Sequence, residues 1–447
     1  MRLILKMGLV FAMTLAILIP LLLVRGVIHD RQRYRAEAVQ EVAARYAGPQ
    51  GLAGPVLVVP YTETAEAEET DASGVARKVR RERTRYWTFF PTRLDVAGRL
   101  RPDTRKRGLH QVRVFEWQGK VRASFEAPIP DEADAAPDRR IGRPWLSYAL
   151  ADVRGLRAAP QLRIDGRAVP VEEGVGGRDA PGLHVRLPAP ARGQVLRLQT
   201  ELDLPLGGTE SLAVVPLGKD NRIALESTWP HPGFIGASPR QDLGDDGFRA
   251  DWRIASLASN AQRGWLEREG RGLAADAAAT LRAMDAVGVE LIDPVDVYTQ
   301  ADRATKYGLL FVLLTFVSLF LFELIKQLPV HPIQYGLVGL ALAIFFLLLV
   351  ALSEHVAFPW AYLAASVACI GLIGFYLSAA LRSVWRGLGF AAMLAVLYAA
   401  LYGLLVSEDN ALALGAGLLF LVLAVLMAVT RRVDWYQLAG ARPPARA

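Results

Sequence analysis

The 447-residue sequence has few of the residues that build covalent or metal-linked structure. It contains one cysteine, Cys369, inside an apolar segment, and six histidines that show no metal-ligand spacing. A single thiol excludes both an intramolecular disulfide and a zinc site made of cysteines. The fold must therefore be held by burial of apolar side chains, for which a chain of this length is sufficient. We expect neither a metal ion nor a cofactor.

Catalytic signatures are also missing. The sequence contains no H-E-x-x-H, G-x-S-x-G, P-loop or dinucleotide-binding pattern. Ser353-Glu354-His355 has the residue types of a hydrolase, but consecutive side chains point in different directions and a catalytic triad needs convergence. We therefore expect a protein that is not an enzyme. A membrane hydrolase whose site is assembled from distant residues stays an alternative hypothesis.

The excess of positive charge lies in the apolar parts of the chain. The net charge is +7, and residues 1–25 and 305–447 hold 11 Lys and Arg but only 5 Asp and Glu, which leaves 40 basic and 39 acidic residues in 26–304. Because the large polar segment is nearly neutral, the basic balance does not indicate a nucleic-acid partner. It indicates membrane orientation signals instead.

Six apolar segments are long enough to cross a bilayer. The first, 3–24, is followed by no small-residue cleavage site, so it predicts an uncleaved anchor rather than a signal peptide. The other five predicted spans are 307–325, 333–352, 356–381, 387–407 and 410–430. The predicted organisation is thus a transmembrane anchor (1–25), an exported β-rich domain (26–304), a five-helix transmembrane bundle (305–430) and a basic cytoplasmic tail (431–447).

The short connections between the spans set the predicted sidedness. Basic residues occur at every second connection, whereas the alternate connections carry Glu354 and His355, and then Glu408 and Asp409, with no Lys or Arg. Positively charged connections stay in the cytoplasm. We therefore expect a multi-pass membrane protein with both termini in the cytoplasm and residues 26–304 on the opposite side of the membrane.

Residues 55–254 alternate between apolar and polar side chains with the period of a half-buried strand. The pattern is clear in 120–126, 196–204 and 248–254. Gln118-Gly119 and Asp165-Gly166 are expected to form tight turns between strands. This pattern predicts a large antiparallel sandwich-like domain.

Four flanking or intervening segments carry predictions of their own. Residues 27–47 are rich in helix formers and are expected to extend the first span until Gly48-Pro49 ends it. Residues 272–286 are rich in alanine and predict a second helix. The charged segment 63–81 predicts a solvated loop or a hairpin tip, and 130–144 predicts a charged loop.

Several polar residues lie at the ends of the predicted spans. His331 and Gln334 are candidates for ligand binding or proton transfer, although Pro332 between them also fits a simple helix start. Glu323 and Lys326 are neighbours on one helix face and fit either a transport pathway or an ion pair at the membrane edge. Glu354 and His355 are candidates for partner contact or acid sensing, or form a plain hydrophilic loop.

The segment 229–236 is the most unusual one in the polar domain. Two prolines fix the backbone around His231, and Trp229 and Phe234 are candidates for an aromatic docking surface. The alternative is a rigid corner between strands, in which both aromatic rings fill the core.

Several segments of the chain match a pattern known from one protein family: 227–236, 247–252, 291–296, 306–308, Glu323, 331–335, 352–355 and 361–363. On these residues the chain resembles the CreD family of inner-membrane proteins over essentially its whole length. The resemblance implies a location in the inner membrane, with residues 26–304 in the periplasm. It also implies a role in envelope integrity, a gene under a two-component regulatory system, and altered tolerance to colicins and β-lactams. It implies no catalytic residue.

Two functional hypotheses of different classes follow. In the first, the β-rich domain binds a periplasmic or envelope component without catalysis, and the helices anchor this domain to the lipid bilayer. In the second, the protein is a transporter or exporter accessory, because five clustered spans are more than an anchor requires. The sequence leaves the ligand and the oligomeric state open.

Overall fold

The computed structural model describes residues 2–70, 76–131, 139–177, 180–268, 277–292, 297–326, 330–407 and 411–431. The chain forms two compact units: Met1–Arg35 with Val295–Ala447, called the membrane unit below, and Ala36–Pro294, called the β unit. The predicted divisions at 25/26 and 304/305 follow the apolar segments, and the position of a membrane on these residues stays a prediction. The predicted tail, 431–447, lies outside the described residues apart from Arg431.

Helix α1, Arg2–Tyr46, continues far beyond the first apolar segment. Its second half is rich in Ala, Glu, Gln and Arg, which have high helix propensity. The helix ends just before Gly48-Pro49, where proline has no N–H to continue the hydrogen-bond ladder. The predicted extension through 27–47 is therefore confirmed.

Seventeen strands are present in the described part of the β unit. They are β1 Gln50–Thr70, β2 Ala76–Phe89, β3 Arg93–Arg107, β4 His110–Pro128, β5 Arg140–Ile141, β6 Trp145–Leu150, β7 Gln161–Ile164, β8 Arg167–Val169, β9 Glu172–Glu173, β10 Gly182–Arg186, β11 Val195–Thr209, β12 Ser211–Val215, β13 Asp220–Ser227, β14 Pro232–Ile235, β15 Arg240–Gly244, β16 Gly247–Ala255 and β17 Val287–Leu291.

The strands form two sheets that share one core. The nine-stranded sheet has the order β14-β17-β12-β1-β6-β10-β9, with β2 and β5 also paired to β1, and the eight-stranded sheet has the order β15-β16-β13-β3-β4-β11-β7-β8. The prediction of a β-rich domain is confirmed, but the pairing is not antiparallel throughout. β1 runs parallel to β12 and β3 runs parallel to β13. A local pattern of alternation holds no information about such pairings between distant segments.

The predicted alternation matches burial in the central strands. Along β4, Val121, Ala123 and Phe125 are buried while Arg122 and Glu126 are exposed. The turn at Asp165-Gly166 is confirmed as the two-residue connection between β7 and β8, and both residues have positive φ (48° and 79°). This is the geometry of a tight hairpin turn that matches the twist of the strands.

The predicted turn at Gln118-Gly119 is wrong, because β4 runs through it without interruption. Gly119 lies opposite Gly98 of β3, and both lie against the fully buried ring of Trp117. A Cβ atom at position 119 would lie 2.6 Å from Cε3 of Trp117. Glycine is required here to leave room for an indole ring, and not to reverse the chain.

The segment 63–81 belongs to a long hairpin. β1 and β2 pair continuously from Leu57 opposite Phe89 to Thr70 opposite Ala76, so the hairpin alternative is confirmed and the loop alternative is wrong for these residues. The tip, 71–75, lies outside the described residues, as does 132–138 of the predicted charged loop. In that loop, Arg140–Ile141 forms the short strand β5.

Two apolar cores stabilise the β unit. The larger lies between the sheets and includes Trp117, Phe115 and Tyr148. The smaller lies on the other side of the nine-stranded sheet, where Trp265 of α2 (Ala261–Glu267) and Leu281 of α3 (Ala277–Arg282) are buried. Of the helix predicted over 272–286, residues 277–282 form α3, 283–286 are not helical and lead into β17, and 272–276 lie outside the described residues.

The membrane unit contains α4 (Val297–Lys306), α5 (Gly308–Lys326), α6 (Pro332–Ser353), α7 (Phe358–Ala380), α8 (Val384–Val406) and α9 (Ala411–Thr430). Helices α5 to α9 match the predicted spans within about three residues. In the described part of the chain, four helices (α1, α6, α7 and α8) are long and apolar enough to cross a membrane, and α4 with α5, bent by 43°, would make a fifth. The described apolar stretch of α9 is shorter, so six spans stay a prediction.

Candidate functional site

The corner at 229–236 is fixed by the indole of Trp229. Nε1 of Trp229 donates a hydrogen bond shared between the carbonyl oxygens of His231 and Ile292, both at 3.0 Å. The guanidinium of Arg113 lies 4.6 Å from the centroid of the indole ring. β14, which lies within this segment, pairs with β17 at the edge of the nine-stranded sheet. The indole therefore ties the corner to the segment after β17.

The other two predicted residues of this segment have different surroundings. Phe234 is half-buried and makes edge-to-face contacts with Phe248 and Trp252, at centroid distances of 6.2 and 6.1 Å. Trp229 and Phe234 both pack against the larger core. His231 is exposed. The structure thus places the two aromatic rings as the corner alternative describes, and His231 alone faces solvent.

The outer face of the eight-stranded sheet is a broad charged surface that the sequence did not single out as a site. Glu226 pairs with Arg99 at 2.9 Å and with Arg249 at 3.0 Å, which links three strands. Lys120 pairs with Glu201 at 3.1 Å on the neighbouring strands. Such exposed cross-strand pairs fix side-chain positions but each adds little stability.

The pKa values of the two carboxyl groups reflect these pairs. The hydrogen bond from Lys120 holds the pKa of Glu201 below its ordinary value. The hydrogen bonds from Arg249 and Arg99 do the same for the pKa of Glu226. Both carboxylates are therefore ionised throughout the neutral range and act as acceptors, not as proton donors.

A cavity of about 460 Å³ lies on this face. Its lining combines small residues with charged ones: Ala97, Gly98, Ala224, Arg99, Lys120, Arg222, Glu226, Arg249 and Asp251. Arg222 lies directly opposite Arg253 of the next strand, and neither forms an ion pair within the described residues. Two like charges placed opposite each other destabilise a sheet.

In the membrane unit, Glu323 is buried in the last turn of α5. Its Oε2 accepts a hydrogen bond from the hydroxyl of Tyr335 at 2.9 Å, and its Oε1 accepts one from the N–H of Val330 at 3.2 Å. The ring of Tyr335 packs edge-to-face on Phe316. The carboxylate therefore joins the end of one helix to the start of the next. The side chain of Lys326, its predicted partner, lies outside the described residues.

His331 and Gln334 form the N-terminal cap of α6. Nδ1 of His331 accepts from the N–H of Ile333 at 3.3 Å, and Oε1 of Gln334 accepts from the N–H of His331 at 3.0 Å. This reciprocal arrangement is a capping box, with Pro332 as the first helical residue. Both polar side chains thereby satisfy helix N–H groups that would otherwise be unpaired.

Glu354 lies at the other end of α6 and holds two further helices. It forms an ion pair with Arg31 of α1 at 3.2 Å and accepts from the hydroxyl of Tyr298 of α4 at 3.3 Å. Its side chain is only 7% exposed. His355 is exposed, and its Nδ1 donates to the carbonyl of Ala351 at 3.1 Å. Glu354 is thus a structural contact within the membrane unit.

Sequence reasoning missed a second ion-pair group in this unit. Asp302 of α4 contacts Lys306 at 2.8 Å and Arg25 of α1 at 3.3 Å. The spacing of Asp302 and Lys306 on one helix face was a usable signal. The pairing with Arg25 was not, because it joins distant parts of the chain. The contacts of Glu323 with 330–335 therefore join helices at one end of the membrane unit. The contacts of Glu354 and of Asp302 join helices at the opposite end.

The lone cysteine belongs to a hydrogen-bonded chain between α6, α7 and α8. The hydroxyl of Tyr398 donates to Sγ of Cys369 at 3.0 Å, and the hydroxyl of Tyr362 donates to the carbonyl of Tyr398 at 2.8 Å. Beside it, a groove of about 480 Å³ runs between α7 and α8 with an apolar lining that includes Trp360 and Ala399. Within the described residues, no three His, Cys, Asp or Glu side chains are grouped so that they could hold a metal ion.

Comparison with known proteins gives one consistent result. Residues 2–436 match the family model described as inner membrane protein CreD. The chain is 35% identical over 435 residues to the inner membrane protein CreD of Escherichia coli strain K12. The aligned residues make up 96% of this chain and 93% of that protein. The similarity therefore extends over nearly the full length of the chain, and this chain belongs to the CreD family of inner-membrane proteins.

Proposed function

We propose that this protein supports the integrity of the cell envelope under stress, and that its β unit does so by binding an envelope component without catalysing a reaction. The observation that carries the proposal is the outer face of the eight-stranded sheet, where Arg222 and Arg253 face each other and neither has an ion-pair partner within the described residues. A bound partner with complementary groups would relieve this repulsion.

We infer that the membrane unit anchors the β unit to the bilayer and does not transport a substrate. Glu323, His331 and Gln334, the polar residues a transport pathway would use, already serve helix ends through hydrogen bonds to backbone N–H groups. Glu354 is engaged by Arg31 and Tyr298. Their involvement in structure supports the binding hypothesis over the transport alternative.

We infer further that both termini face the cytoplasm and that 26–304 face the periplasm, from the alternation of basic connections in the sequence. The test uses full-length protein with Cys369→Ala and one new thiol. Leu257→Cys, at a position that is 99% exposed, should react with an impermeant maleimide in spheroplasts. A cysteine added after Ala447 should react only after lysis. The reverse pattern would contradict the proposed orientation.

The functional test is complementation in a strain that lacks this protein, scored by survival under colicin or β-lactam stress at matched membrane levels. The sheet variant is Arg222→Glu with Arg253→Glu. Its control, Arg167→Glu with Arg240→Glu, makes the same charge change on the two edge strands of the same sheet.

A second variant tests the membrane unit without breaking it. Glu323→Gln with His331→Asn removes both titratable groups, while Gln still accepts hydrogen bonds and Asn is a favourable helix N-cap. We expect the sheet variant to lose rescue and the other two variants to keep it. Loss of rescue only in the Glu323→Gln/His331→Asn variant would favour the transport alternative and refute the binding proposal.

A further inference from the structure

A basic hollow lies in the β unit where α1 ends. It has a volume of about 260 Å³ and is lined by side chains from 41–46 of α1 and from 105–107 of β3. Arg45, Arg105, Lys106 and Arg107 contribute four cationic groups, and Glu41 contributes the one carboxylate of the lining. The space suffices for a phosphate-sized group with accompanying water.

The single carboxylate neutralises only one of these cations. Oε2 of Glu41 accepts from Nε of Arg107 at 2.6 Å. Arg105 has its nearest carboxylate, that of Asp103, at 3.6 Å, and both side chains are exposed. Arg45 and Lys106 form no ion pair within the described residues. The hollow therefore keeps an excess of positive charge in a concave place, where a bound anion would be favoured.

The C-terminal dipole of α1 does not account for these cations. Its partial negative charge lies on the last carbonyl oxygens. Those oxygens accept hydrogen bonds from residues outside the hollow. Arg154 donates to the carbonyl of Ala44 at 2.8 Å, and Arg157 donates to the carbonyl of Tyr46 at 3.3 Å. Arg157 also stacks on the ring of Tyr46 at 3.6 Å. The cations of the hollow are thus additional to the helix cap.

We propose that this hollow binds a phosphate group. Arginine presents forked donors that match phosphate oxygens, and lysine acts as a point charge beside them. The group could come from a soluble phosphate compound or from the headgroup of an anionic lipid, and both present the same oxygens. The inference does not depend on the proposed envelope function, because it concerns binding chemistry alone.

The test uses the full chain in nanodiscs of phosphatidylcholine, titrated with pyrophosphate by calorimetry at low ionic strength. The variant is Arg45→Gln with Lys106→Gln. These side chains lack ion-pair partners in the described residues, so their removal should leave the fold intact, which a thermal melt checks. The control is Arg167→Gln with Arg240→Gln. Loss of two charge-assisted contacts should weaken binding at least about tenfold, and the control should stay near the wild-type affinity.

A second arm identifies the source of the phosphate. If the lipid headgroup occupies the hollow, phosphatidylglycerol added to the nanodiscs should weaken pyrophosphate binding or raise the melting temperature of the protein. The rise in melting temperature should be absent in the Arg45→Gln/Lys106→Gln variant. Pyrophosphate binding that is indifferent to this lipid indicates a soluble ligand. Equal affinity in wild type, variant and control, or no response to either phosphate source, overturns the proposal.

Discussion

Gly119→Ala should destabilise the β unit although it adds only one methyl group to a strand. The new Cβ would lie 2.6 Å from Cε3 of Trp117 and closer still to two further ring atoms. Carbon atoms pack best at about 3.5–4.0 Å, so the overlap is about 1 Å. The indole is fully buried between the sheets, so it cannot shift without displacing other closely packed core side chains.

The size of the effect follows from two opposing contributions. Overpacking of a dense core costs about 1–3 kcal/mol. Replacing glycine by alanine at an unstrained position returns about 0.4–1 kcal/mol, because the unfolded chain loses conformational freedom. The midpoints of these two ranges leave a net loss of about 1.3 kcal/mol in the free energy of unfolding, or about 3–5 °C in melting temperature for a domain of this size.

The assay is pulse proteolysis in urea on full-length protein in detergent micelles, with fragments of the β unit followed on gels. The matched control is Gly244→Ala, in β15 of the same sheet, where a Cβ would meet nothing within 4 Å. It should be neutral or slightly stabilising. Gly119→Ala should also reduce the free energy of unfolding much less in a Trp117→Leu background, because the indole ring that the new Cβ would overlap is absent. Equal effects at the two glycines, or the same cost in both backgrounds, would refute the reasoning.

Two further predictions concern charged groups. Burial raises the pKa of Asp152, but hydrogen bonds from Arg154 and from the N–H of Gly48 together lower it by more. A carboxyl group whose pKa is lowered in the folded state stabilises the fold above about pH 4, and this stabilisation is lost as the pH falls through the folded-state pKa. Asp152→Asn should therefore reduce the urea midpoint of the β unit at pH 7 by more than at pH 3, and an equal reduction at both would contradict the assignment. Glu354→Ala should lower the temperature at which the detergent-solubilised chain aggregates, by the equivalent of about 1–2 kcal/mol, since it leaves Arg31 unpaired beside a buried position. Adding Arg31→Ala should cost little more; fully additive losses would show that the two side chains do not interact.

The sequence was sufficient to predict features that depend on local periodicity. The apolar segments predicted the bounds of helices α5 to α9 within about three residues, because composition alone decides where an apolar helix can run. The alternation in 120–126 predicted which face of β4 is buried. Asp165-Gly166 predicted a turn because both residues tolerate the positive φ that a two-residue hairpin requires.

Features that depend on contacts between distant segments were out of reach. Gln118-Gly119 has the composition of a turn, and only the position of the Trp117 ring beneath Gly98 and Gly119 shows why glycine is needed in a continuous strand. The same holds for the candidate residues. Pro332 indicated a helix start, but the partnership of Glu323 with Tyr335, and of Glu354 with Arg31, depends on how the helices pack.

The parallel pairing of β1 with β12 has a consequence for biogenesis. Gln50–Ala53 pair with Leu212–Val215, so the first strand of the β unit lacks one of its two neighbours until most of the unit has been synthesised. A strand edge with unpaired N–H and C=O groups is a template for aggregation. The nascent β unit is therefore exposed to aggregation over a long interval, and we expect truncation before Ser211 to yield insoluble chains rather than a smaller folded domain.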